Sequence, residues 1–327
     1  MVSELEPSPG RVARHAAIAC VWLLSFRLLS DHLLRAVPLS IARELSLAAY
    51  TSGVQVLCLA VGLGLAFLLL PNPRQAFGLE LPRLRALAVV TALAPAAYVL
   101  ASYAAIYVAL PTLLSELAER GRAAVQASTG EFGRELVGSG VVATLLFTVV
   151  LSPIAEELMF RGAVWSFVQS IVELAASVVR PAAAPDSSAL SPSVIEPSFV
   201  LSAARSLTDY FRRGFVATLA TTAVFAWMHA DMPGGLGIVR WMSALGLGLA
   251  TGVARQASGS LFAAMLLHAL FNLASVAATR RWVVTESFPM KLGVPTLLSL
   301  VGSVGALVAL SILAVGYFGR RARTAAQ

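Results

Sequence analysis

The chain has 327 residues and a mass of 34.2 kDa; it is 58% hydrophobic and 13% charged, with a net charge of +7 and a mean hydropathy of +0.80. A soluble globular domain carries roughly 25% charged residues, so this chain lacks the polar surface to cover itself in water. A water-soluble enzyme, a disordered regulator and a secreted disulfide scaffold are excluded, and an all-α polytopic membrane protein is expected.

The N-terminal tail, residues 1–14, is polar. Long runs without Asp, Glu, Lys or Arg follow: Leu45–Pro73, Ala86–Ser115, Leu136–Ala155 and Leu292–Gly319. Each is at least as long as the roughly 20 residues a helix needs to cross a bilayer. With the shorter apolar runs, they predict about eight membrane helices, near 15–36, 46–70, 86–110, 137–160, 214–231, 237–254, 257–278 and 293–318. The chain then divides into the tail, N-terminal membrane helices over 15–136, a core over 137–278, and a C-terminal helix with a basic tail over 279–327. Pro181, Pro185, Pro192 and Pro197 break the core at 181–198, which reads as an irregular extramembrane insertion.

An even number of spans sets both termini on one side, and that side collects about 14 Lys and Arg against about 9 on the other. The positive-inside rule puts this side in the cytoplasm. The basic residues are scattered through loops without interleaved aromatics, so no nucleic-acid partner is expected. Cys20 and Cys58 lie in apolar surroundings and read as small core residues.

Ionisable groups inside a bilayer cost roughly 2.5–3.5 kcal/mol each on insertion scales, so each one needs a reason. Three places qualify. In Glu156-Glu157-Leu158-Met159-Phe160-Arg161 the apolar run from Leu136 meets two carboxylates and resumes at Gly162. Glu157 and Arg161 stand one helical turn apart and can pair, while Glu156 points about 100° away as a free carboxylate. Phe225 and His229 share a face near the end of the run that begins at Gly214. His268 and Asn272, one turn apart, lie in the middle of Gln256–Thr279.

Each motif alone has an ordinary reading: an acidic helix end in solvent, a capping histidine, a polar contact between helices. The three together are harder to dismiss. The chain has only four histidines, and two of them fall in apolar helices beside a third that carries the carboxylates. Carboxylate, imidazoles and carboxamide are the parts needed to activate a water and stabilise an oxyanion. Glu156, His229 and His268 also match the ligand set of a catalytic zinc site. A non-catalytic immunity or scaffold protein and an ion-coupled transporter are the alternatives at this level.

The ordered set EExxxR, FxxxH and HxxxN, on successive apolar helices between about 137 and 278, resembles the CPBP (CAAX protease and bacteriocin-processing) intramembrane proteases. That family, also called ABI, includes the type II CAAX prenyl endopeptidases. The resemblance implies a helix bundle with a polar cavity inside the bilayer and endopeptidase activity on a membrane-associated peptide or protein. It further implies Glu156 as general base, His229 and His268 orienting the water, Asn272 at the oxyanion, and Glu157, Arg161 and Phe225 as support. It leaves metal-dependent and metal-free mechanisms both open, with zinc the metal in question. A bacterial cytoplasmic membrane is the expected location. A shared site also demands that the helix carrying Glu156 continue past Arg161, because His268 lies about 18 Å into its own helix at about 1.5 Å per residue.

Overall fold

A computed structural model of the chain describes residues 8–36, 47–138, 140–179, 214–230 and 234–279. The expected helix at 293–318, the proline-rich insertion at 181–198 and the basic tail lie outside these residues. The described residues form eight helices and no strand. They are α1 (Pro9–Ala36), α2 (Leu47–Leu69), the short α3 (Pro73–Phe77), α4 (Leu84–Gly138), α5 (Val141 to Val179), α6 (Val216–Met228), α7 (Gly234–Ser258) and α8 (Leu261–Thr279).

Four stretches are long and apolar enough to cross a membrane: Pro9–Leu29, Leu84–Glu119, Val141–Val178 and Gly234–Ser258. Gly53–Leu69, Val216–Met228 and Leu261–Ala277 are shorter apolar helices. The chain is an integral membrane protein, and its polarity is inverted accordingly. Phe67, Leu68, Val142 and Val178 are exposed, whereas Glu157 and Arg161 have no accessible surface. In lipid an outward apolar side chain costs nothing, while a charge must find its partner inside.

Three expected helices have clearly different bounds in the structure. The first, expected over 15–36, begins at Pro9, inside the expected tail. The helix expected over 86–110 continues to Gly138 as one 55-residue element, through Pro95 and Pro111. Charge after Ser115 ends an apolar span, but it does not end a helix. The helix expected to stop near 160 runs on to Val179, because Glu157 and Arg161 pair with each other and with groups inside the bundle rather than with solvent. Its start moves to Val141, behind Gly140, whose φ of 71° breaks the chain direction.

The bundle places α7 between α4 and α6, with α8 packed on α4 and α7, and α1 packed on α2 and α5. Close approach of α6 and α7 depends on Gly248 and Gly252, a small-xxx-small pair. A Cβ at Gly248 would sit 3.0 Å from the Thr222 methyl and 3.2 Å from Nη2 of Arg161. Between α2 and α4, the short α3 is capped at both ends: Asn72 accepts from the Gln75 amide at 3.2 Å, and Gly78 takes the left-handed conformation (φ 65°). Arg255 then fastens this turn to α7 by donating to the carbonyl oxygens of Phe77 and Gly259.

Candidate active site

Helix α5 carries the carboxylates on a short α-helical stretch, Ser152–Glu157, held between two π-helical ones, Leu145–Leu151 and Leu158–Val164. π-Helical turns are rare and concentrate at functional sites. From this stretch the two glutamates leave in different directions, as the helical period predicts.

Glu157 goes to the interior. Its Oε1 lies 3.2 Å from Nη1 of Arg161, and both side chains are fully buried. Arg161 also donates through Nη2 to the carbonyl oxygen of Gly248 at 2.9 Å, and its guanidinium carbon stands 4.7 Å from the centre of the Phe225 ring. Burying an ion pair costs several kcal/mol per charge unless the geometry and extra hydrogen bonds repay it. Here a carboxylate, a carbonyl and an aromatic face surround one guanidinium. The carbonyl is reachable because residue 248 has no side chain.

Glu156 goes to the histidines. Its Oε2 lies 3.8 Å from Nε2 of His268 and 4.0 Å from Nε2 of His229. What each ring does with its other nitrogen fixes its chemistry. Nδ1 of His229 is 2.8 Å from the Phe225 carbonyl oxygen, which can only accept, so Nδ1 carries the hydrogen. Nδ1 of His268 is 2.8 Å from Oε1 of Glu157 and likewise donates to a carboxylate. In the neutral rings both Nε2 atoms are then lone pairs. With both rings neutral, Oε2 of Glu156 faces two imidazole nitrogens that are acceptors like itself.

His229 occupies the C-terminal cap of α6 and satisfies one of the carbonyls that a helix end leaves open. The capping role and the site role are one geometry. His229 is also the most exposed of the three, its side chain 25% accessible against 11% for Glu156 and 3% for His268. Phe225 packs 4.4 Å from the His229 ring and 5.8 Å from the His268 ring, and meets Phe160 edge-on at 5.0 Å. It forms the wall that holds both imidazoles. Asn272 donates through Nδ2 to the Thr148 carbonyl oxygen at 2.8 Å, in the first π-helical stretch.

Two further residues touch the carboxylate. Ser152 donates to Oε1 of Glu156 at 2.5 Å, and Gln55 on α2 donates to the same oxygen at 3.3 Å and to the Ser152 hydroxyl at 3.0 Å. Neither residue is charged or an imidazole, so neither stands out in an apolar sequence. Ser152 precedes Glu156 by one turn, and Gln55 is a lone amide in a charge-free helix; both signals were present.

A tetrahedral zinc with ligand bonds of about 2.1 Å would bring its ligand atoms to about 3.4 Å from one another. The separations of 3.8 and 4.0 Å are wider than that. Among the described residues no group of three His, Cys, Asp or Glu side chains is set as a metal cluster. The donor types suit a metal, but their spacing does not form a closed ligand set.

A helical membrane bundle with a carboxylate flanked by two imidazoles defines the class: a membrane protein with ionisable groups gathered among its helices. Residues 138–274 match the family model described as type II CAAX prenyl endopeptidase Rce1-like. The segment that carries Glu156, His229, His268 and Asn272 is therefore the part of the chain that is similar to this family. It occupies less than half of the chain. No curated protein and no solved structure matches the sequence.

Proposed function

We propose that the protein is an intramembrane endopeptidase whose base is Glu156. The observation that carries this reading is that Oε2 of Glu156 lies within 4.0 Å of Nε2 of both His229 and His268, which makes three acceptors when the rings are neutral. Such a set lacks hydrogens, and a water supplies two. A water held there donates to the carboxylate and to one imidazole, with its lone pair turned outward to a substrate carbonyl.

The reaction balances within these groups. The water oxygen bonds to the carbonyl carbon as its proton passes to Oε2 of Glu156. The carbonyl oxygen becomes an oxyanion, for which Asn272 has a second amide hydrogen beyond the one given to Thr148. When the carbon–nitrogen bond breaks, Glu156 returns the proton to the leaving amine. His229 and His268 orient the water, and Glu157 with Arg161 holds His268 in its tautomer. The partners are the lipid bilayer and a membrane-associated peptide or protein, cut near its C-terminus or leader. The excess of Arg in one set of loops supports a cytoplasmic position for both termini, and the Arg-over-Lys and Ala-rich composition supports a bacterial membrane.

The test compares peptide ends in cells carrying the wild-type chain and the Glu156→Gln variant. Ends present only with the wild type are expected, and they identify the substrate. Identical sets of ends at equal protein levels would overturn the assignment.

A further inference from the structure

We propose that Ser152 and Gln55 are positioning residues for Glu156, holding Oε1 so that Oε2 is presented to the two histidines. The inference rests on the reading of Glu156 as the base.

The hydrogen bonds have a direction. The Gln55 amide donates to the Ser152 hydroxyl oxygen at 3.0 Å, which leaves the Ser152 hydrogen to go to Oε1 of Glu156 at 2.5 Å. Gln55 also reaches Oε1 directly at 3.3 Å. Among the described residues, both side chains that donate to this carboxylate do so to one of its two oxygens. The other oxygen faces the Nε2 atoms of His229 and His268, acceptors in the neutral rings. A carboxylate free to turn about its last torsion, which has broad and roughly two-fold minima, would exchange its oxygens. Donors on a single oxygen fix the plane and leave Oε2 as the one with unused lone pairs.

The surroundings argue that this is why a polar group stands on α2 here. From Gly53 to Leu69 that helix has no charged or hydroxyl side chain, and Gln55 is its single amide. An amide buried without partners costs about 1–3 kcal/mol, so it needs a reason in an apolar helix. Its hydrogen bonds go to Ser152 and Glu156. The crevice between α1, α2 and α5 is otherwise walled by Trp22, Phe26, Cys58, Ala155 and Met159. Among the described residues lining this crevice, no side chain besides these two donates to Oε1.

The test uses the full chain in proteoliposomes, with a peptide spanning a site that wild-type cells cleave and Glu156→Gln cells do not. Ser152→Ala and Gln55→Leu are each expected to lower kcat about tenfold, the worth of a hydrogen bond to a charged group, with KM within about twofold. The double variant should lose less than the product of the two, because both act on one oxygen. Ser152→Thr, which restores the hydroxyl, should recover most of the loss. A second readout is independent of turnover: the carboxylate stretch of Glu156, isolated as the infrared difference between wild type and Glu156→Gln, should shift in Ser152→Ala and in Gln55→Leu. Unchanged kcat, a loss confined to KM, a Ser152→Thr variant as impaired as Ser152→Ala, or an unmoved carboxylate band would each overturn the positioning role. Full cleavage by Glu156→Gln is a different result, and it would instead overturn the reading of Glu156 on which the inference rests.

Discussion

Nδ1 of His268 and Oε1 of Glu157 meet at 2.8 Å, and that same oxygen takes Nη1 of Arg161 at 3.2 Å. One carboxylate atom therefore both orients an imidazole and neutralises a guanidinium. The two glutamates of the EE pair divide the labour. Glu157 sets the tautomer of His268, and the tautomer decides that Nε2 faces Glu156 as an acceptor.

Replacing Glu157 by Gln tests that dependence. An amide can offer Nδ1 a hydrogen, which would move the ring proton to Nε2 and turn an acceptor into a donor aimed at Glu156. Cleavage should fall by roughly 10²-fold or more, within the range that positioned acid–base groups contribute. The variant should also melt at lower temperature, since Arg161 would keep its charge without its counter-ion. Initial rates and thermal unfolding in detergent measure the two effects. Wild-type turnover in a folded Glu157→Gln variant would remove the tautomer argument.

Arg161→Lys should be damaging although it keeps the charge. The guanidinium bonds Glu157 and the Gly248 carbonyl through different nitrogens while lying against the Phe225 ring. A lysine ammonium is a compact charge without the planar fork, so it cannot make all three contacts. A loss of about 1–3 kcal/mol of stability is expected from the missing charged hydrogen bond, and a lowered melting temperature reports it. An unchanged melting temperature would mean that charge alone suffices.

Much of this arrangement was legible in the sequence, because in a membrane protein polar residues are scarce and each one is informative. EExxxR, FxxxH and HxxxN stand out against charge-free runs, and the helical period alone separates Glu156 from Glu157. What stayed hidden was whatever hydropathy does not encode. The continuation of α5 past Arg161 was demanded by a shared site and is found, but the partners of Glu157 and Arg161 on α7 and α8, remote in sequence, were not. The extension of α4 to Gly138 was masked because charge was read as the end of a helix. Gln55 and Ser152 were passed over because neutral polar groups barely alter an apolar run. The bond of Asn272 to Thr148 was also out of reach, since it depends on how α8 meets a π-helical turn.

The small residues of α7 should be intolerant of even one methyl group. At Gly246 a Cβ would come within 2.5 Å of the Ala101 Cβ on α4, and at Gly248 within 3.0 Å of the Thr222 methyl on α6. Overpacking of this kind costs about 1–3 kcal/mol, and Gly246→Ala should be the worse because backbone must move. Gly248→Ala should add a functional loss, since its methyl also crowds Nη2 of Arg161 at 3.2 Å. Thermal unfolding of both variants, with cleavage rates for each, separates packing from activity. Equal specific activity in the folded fractions would confine Gly248 to packing.

Chelation should leave the cleavage rate unchanged. Each member of the acceptor trio is tied on its far side: His229 to the Phe225 carbonyl, His268 to Glu157, and Glu156 to Ser152 and Gln55. Closing separations of 3.8 and 4.0 Å to the edges of a zinc site would require these anchors to slip together. The spacing instead leaves room for a water that donates one hydrogen to Oε2 of Glu156 and the other to one imidazole, at ordinary hydrogen-bond lengths. Protein dialysed against a strong chelator should therefore retain its turnover and carry far less than stoichiometric zinc by elemental analysis. Activity that vanished on chelation and returned with zinc alone would show that the trio closes around a metal in the working enzyme, and Glu156 would then be a ligand before it is a base.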